Sequence, residues 1–104
     1  MDALSLLQND YGYTLTFNIK NSDGTAFNLT GYQAYIKAWK PGRSGFVMVS
    51  GITTVTSPSG GVCTYLVQAN DFVTTEILYA EIQLTQSGVV QSTETFQIIV
   101  RESA

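Results

Sequence analysis

Apolar and polar residues alternate one by one over long stretches of this chain, and nothing in it repeats at the helical period. From Tyr13 to Ile19, Tyr13, Leu15, Phe17 and Ile19 fall on one side of an extended backbone, with Thr14, Thr16 and Asn18 on the other. Leu78, Ala80, Ile82 and Leu84 alternate in the same way with Tyr79, Glu81, Gln83 and Thr85. A period of two is the mark of a half-buried strand. Val, Ile, Thr, Phe, Tyr and Trp supply about 40 of the 104 residues, the bias of pleated sheet.

Turn chemistry divides the rest. Asn21-Ser22-Asp23-Gly24 ends the first strand, and Gly24 can take a positive φ. Phe27 and Leu29 read as two apolar anchors on a short extended piece before Thr30-Gly31 turns the chain. A second long strand spans Tyr32 to Lys40. Tyr32, Ala34, Ile36 and Ala38 occupy one face and Gln33, Tyr35, Lys37 and Trp39 the other. Both faces carry aromatics, so the alternation leaves open which is buried. Residues 40–45 form a loop. Phe46–Val49 and Ile52–Thr56 are short strands split by Ser50-Gly51, and residues 57–61 carry the strongest loop signal. Val62 to Ala69 follows, with Cys63, Tyr65 and Val67 inward. Asn70-Asp71-Phe72 starts a corner, with Phe72 plugging the end of the core. Phe96, Ile98 and Val100 close the domain.

A three-residue hairpin loop, Gln86-Ser87-Gly88, pairs Thr85 with Val89 and places Gly88 in the left-handed region. That register opposes Ile82 to Ser92, Glu81 to Thr93 and Ala80 to Glu94. Glu94 would then face the core, so either a β-bulge between Val90 and Phe96 re-aims it, which is the first reading, or it lies at the rim with a partner. Seven or eight such strands make one all-β domain over residues 1–104. An antiparallel two-sheet sandwich of immunoglobulin-like type is the first reading and a small barrel the second.

Composition removes most chemistry. The chain has no histidine, hence no Ser-His or Cys-His dyad and not the commonest metal ligand. Its single cysteine, Cys63, allows no internal disulfide and reads as a buried thiol. The net charge of −3 lacks the basic patch of a nucleic-acid binder. Glu76, Glu81 and Glu94 come from adjacent chain segments, but no pairing of them is expected. Asp2, Asp10, Asp23 and Asp71 sit at turns. No metal, no cofactor and no catalytic residue is expected. The N-terminus has an acidic first charge and too short an apolar run for a secretory signal, and no segment is long enough to span a membrane. The expectation is synthesis in a cytoplasm, with no nucleic-acid or membrane partner.

Aromatic residues make up 12% of the chain, against 12% charged. Most serve a core, while Tyr11, Tyr35, Trp39 and Phe46 are candidates for an exposed patch. Such a patch suits contact with another protein or stacking on a sugar ring.

The segment Leu15 to Tyr32, with its strand, Asp23-Gly24 turn and Leu29-Thr30-Gly31 step, resembles the opening of an Ig-like domain of tailed-phage virion proteins. Tyr79 to Thr85, a short turn, and Val90 to Val100 agree with it. The named family nearest to this pattern is the N-terminal domain of phage baseplate upper proteins. The resemblance runs from about Tyr13 to Val100 and is structural throughout, so no active-site residues carry over. It implies a non-enzymatic virion protein: a tail or baseplate adaptor, or a capsid or tail decoration. Family members often carry further domains after this one; the sequence here ends at Ala104, which favours a small structural or decorating protein. Partners would be other virion proteins or copies of the chain itself, with host glycan as the alternative. Residues 1–10, with Leu4, Leu6 and Leu7, are read either as a docking arm or as a first strand at the sandwich edge.

Overall fold

In a computed structural model the alternating segments form strands whose apolar faces meet. Residues 4–42, 47–93 and 95–102 are described. Among them are nine strands: β1 (Leu4–Leu7), β2 (Thr14–Asn18), β3 (Gln33–Trp39), β4 (Val47–Ile52), β5 (Thr54–Ser57), β6 (Val62–Leu66), β7 (Glu76–Gln86), β8 (Val89–Ser92) and β9 (Phe96–Arg101). The larger sheet runs β1-β9-β7-β3-β4, with β8 also paired to β7; the smaller runs β2-β6-β5. No helix occurs among the described residues.

The two sheets enclose one core. Ala34, Ile36 and Ala38 from β3 and Leu78, Ala80, Ile82 and Leu84 from β7 come from the larger sheet, with Phe96, Ile98 and Val100 from β9. Leu15, Phe17, Cys63 and Tyr65 come from the smaller. Phe17 and Phe96 meet across the sheets with ring centroids 5.7 Å apart. Leu29, Val67 and Phe72, all outside the strands, are buried with them. The face of β3 that alternation left open is thus settled: the side bearing the two alanines is inside. Burial pushes the Cys63 thiol above its ordinary pKa, as expected for an inert buried cysteine.

Several sequence expectations need correction. The strands among the described residues number nine rather than seven or eight. The sheets are not wholly antiparallel, because β1 pairs in parallel with β9. The β7–β8 loop has two residues, since Gln86 pairs with Val89 and Thr85 with Val90. Gly88 does take the left-handed conformation, at φ 77°. An irregularity of the expected kind follows. Gln83 pairs with Ser92 but Ala80 with Phe96, so the register slips by one residue between these two pairs. Thr93 bonds the main chain of Ile82, both N–H to carbonyl and through its hydroxyl, rather than opposing Glu81. Glu94 lies outside the described residues.

Ser50-Gly51 does not split a strand. Gly51 is inside β4, and a Cβ there would lie 2.5 Å from Cε1 of Tyr65, so the glycine makes room for the ring. The break falls at buried Thr53, where the chain passes between sheets. Its N–H and its hydroxyl both donate to the Ala34 carbonyl at 2.8 Å.

The Tyr65 ring is fixed at its other end by the corner after β6. Its hydroxyl donates to Asp71 Oδ2 at 2.5 Å, and the Gln68 N–H donates to the same oxygen at 2.9 Å. Burial, and then the neighbouring Asp71 carboxylate, raise the Tyr65 phenol above its ordinary value. A raised pKa in the folded state favours the neutral phenol. The stability it contributes is therefore complete below the ordinary phenol pKa of about 10 and is lost as pH rises beyond it. Tyr65→Phe is expected to cost about 1.5 kcal/mol at neutral pH, the worth of a hydrogen bond to a charged group. It should also flatten the alkaline fall in stability. Urea unfolding at pH 7 and pH 11 checks both; an equally steep alkaline fall in the variant would remove Tyr65 as its source.

Candidate functional site

The same alternation that buries one face of the larger sheet sends a second set of side chains outward. From β3 these are Gln33, Tyr35, Lys37 and Trp39, and from β7 Ile77, Tyr79, Glu81, Gln83 and Thr85. Pairing aligns them in rows. Trp39 stands between Tyr79 of β7 and Val47 of β4. One row on, Lys37 stands between Glu81 and Ser50, and the next row places Tyr35 between Gln83 and Ile52. Toward the other edge Ile77 pairs with Ile99, which pairs with Ser5. Cross-strand neighbours of this kind lie about 5 Å apart, close enough for side chains to touch.

The outer face is apolar for a surface. Ile52 is 61% exposed and Val90 68%, with Leu7, Val47 and Ile77 each above 40%. Tyr35, Trp39 and Tyr79 are half-buried against their row neighbours. Tyr35 donates its hydroxyl to Gln33 Oε1 at 2.7 Å. Lys37 and Glu81 face one another across the strands, yet the ion pair found among the described residues is Lys40 to Glu76, at 3.4 Å. Glu81 accepts a long hydrogen bond from the Ser92 hydroxyl, at 3.4 Å.

Of the sequence candidates, Tyr35 and Trp39 share this face but are not adjacent, because Lys37 lies between them. The aromatic beside Trp39 is Tyr79, which sequence reasoning did not single out. Its outward position was readable from the alternation of β7, but its partner became visible only with the β3–β7 register. Tyr11, 64% exposed, lies in the connection from β1 to β2, off the sheet. Phe46 is outside the described residues. Leu4–Leu7 form β1 at the sheet edge, paired with β9. Leu6 is buried, Leu4 half-buried and Leu7 exposed beside Arg101.

Reactive chemistry is sparse in comparison. Glu76 and Glu81 are five residues apart in one strand and point to opposite faces, about 17 Å apart along it. That is too far for an acid–base pair, which needs about 5 to 10 Å. Among the described residues no three of His, Cys, Asp and Glu cluster as metal ligands would. Asp23 and Asp71 do what turn aspartates do: Asp23 Oδ1 accepts from the Thr25 N–H at 3.0 Å and hydroxyl at 2.6 Å, which lowers its pKa. A groove of about 700 Å³ opens beside β2, floored by Phe17, Ile19 and Phe96 and rimmed by Asn18, Asn21 and Ser92. Its rim is mainly amides and hydroxyls.

The BppU N-terminal domain, a family model, matches residues 5–104. No curated protein matches the chain.

Proposed function

The chain belongs to the BppU N-terminal domain family, that of phage baseplate upper proteins, and from this membership we propose a non-enzymatic structural part of the virion. In this reading it is a tail or baseplate adaptor, or a small decorating protein, built on an immunoglobulin-like sandwich. It holds other virion proteins through the outer face of the larger sheet. The family match over nearly the whole chain carries the proposal. The face supplies the means: Trp39, Tyr79 and Ile52 give apolar contact area, and their rigid strands limit the ordering entropy of docking.

The test adds purified chain to particles that lack it and counts copies bound. Saturation at a fixed number per particle is expected. Ile52→Glu, at an exposed position that should not disturb folding, and Trp39→Ala should each weaken uptake by about 30-fold, the loss of one anchor worth about 2 kcal/mol. A chain that ignores particles, or variants taken up like the parent, would sink this reading; retention on a glycan array would then favour the sugar-binding alternative.

A further inference from the structure

Resting on the reading that the outer face of the larger sheet is a docking surface, we infer that one of its occupants is the same face of a second copy of the chain. The two copies would be related by a two-fold axis parallel to β3 and β7 and lying between them.

The charge pattern selects this arrangement. Lys37 and Glu81 lie side by side at the middle of the face, without an ion pair between them. Rotation about the stated axis exchanges the β3 and β7 positions while keeping the rows. Lys37 then meets Glu81 of the second copy, and Glu81 meets its Lys37. The same rotation sets Trp39 over Tyr79 of the second copy on one side of the charges, and Tyr35 over Gln83 on the other. A two-fold axis perpendicular to the strands would instead stack Lys37 on Lys37 and Glu81 on Glu81. An isologous interface must be self-complementary, and only the first axis makes it so. The right-handed twist of each sheet turns the facing strands about 30° from alignment, the common packing of two sheets.

Area sets the strength. The rotation sets β9, β7, β3 and β4 against β4, β3, β7 and β9 of the second copy and leaves β1 outside the overlap. Four strands about 4.8 Å apart, taken over about seven residues of about 3.4 Å, give a face on the order of 450 Å². Two such faces bury roughly 900 Å², the size of a weak, transient contact. A reversible, concentration-dependent dimer is therefore expected. Central charges in it fix orientation more than they add affinity.

Sedimentation velocity from micromolar to millimolar concentration tests the inference. The parent chain should pass from monomer to dimer. Lys37→Glu and Glu81→Lys should each stay monomeric, with self-association weakened about 100-fold or more by facing like charges. Mixed together, the two variants should form a heterodimer, since each supplies the charges the other lacks. The double variant K37E/E81K keeps opposite charges facing within the chain, so its fold is protected. It should pair with itself but not with the parent. A parent that is monomeric throughout, a single variant that associates like the parent, or a double variant that pairs with the parent would each overturn the inference. A parent chain that stays monomeric throughout yet saturates particles would overturn it while leaving the structural role standing.

Discussion

Gly61→Ala is expected to lower stability by about 3 kcal/mol or more, a loss large enough to unfold a marginal domain. Gly61 has φ +70°, a region that costs a residue with a Cβ about 1 kcal/mol. The larger part is steric. A Cβ here would sit 2.5 Å from the Ile19 carbonyl oxygen and 2.7 Å from that of Phe27. Both are main chain and cannot swing aside. The Ile19 N–H donates to the Gly61 carbonyl at 2.7 Å, and the Phe27 N–H to the Ile19 carbonyl at 2.9 Å. Relief of the clash must therefore pull apart the place where the end of β2, the Phe27 segment and the start of β6 converge. Gly24→Ala is the control. Gly24 has φ +88° with nothing within 4 Å of its Cβ position, so only the conformational cost of about 1 kcal/mol applies. Chemical denaturation of both variants separates the two effects. Equal losses would mean that the three segments yield freely and that the convergence contributes little.

Ile82→Ala comes next, at about 3 to 4 kcal/mol, from a lost buried side chain and the cavity left behind. Ile82 has no exposure, and it stands beside Ile36, also fully buried, in the middle of the larger sheet. β3 on one side and the two hydrogen bonds to Thr93 on the other hold the backbone there, which limits collapse around the hole. For a domain of this size the melting temperature should fall by more than about 12 °C. Ile77→Ala on the outer face of the same strand, where the side chain is 48% exposed, should cost about 1 kcal/mol or less. Calorimetry on the pair would expose an error in the inside–outside assignment of β7: similar losses would mean that the core does not lie where the register places it.

That assignment was legible in the sequence because burial on a sheet has a period of two. Leu15 and Phe17, Cys63 and Tyr65, Leu78 to Leu84, and Phe96 to Val100 all point inward as their alternation dictates. What stayed hidden depends on residues far apart in the chain. Gly51 resembled a strand break because glycine usually punctuates; its actual cause is the ring of Tyr65, fourteen positions on and in the other sheet. Leu4–Leu7 offered no sign of their partner, since β9 is more than ninety residues away. The face carrying Tyr35 and Trp39 was half legible. Local pattern put the two on one side of β3, but the neighbours that make a surface of them, Tyr79, Val47 and Ile52, come from pairing alone. The hairpin register failed by one residue because Gly88 marks a left-handed turn without stating whether two or three residues form it.

The parallel pairing of β1 with β9 bears on how the domain carries mechanical load. Leu4 lies beside Ile98 and Leu7 beside Arg101, so the chain enters this strand pair at one end and leaves it at the other. Tension applied between the two ends of the domain drags β1 and β9 past each other along their length. Every hydrogen bond between them, and the Gln8 N–H to Arg101 carbonyl bond just beyond, resists at the same moment. An antiparallel pair at this position would be peeled open one bond at a time. A small sandwich pulled from both ends would thus meet the load in shear, its strongest direction.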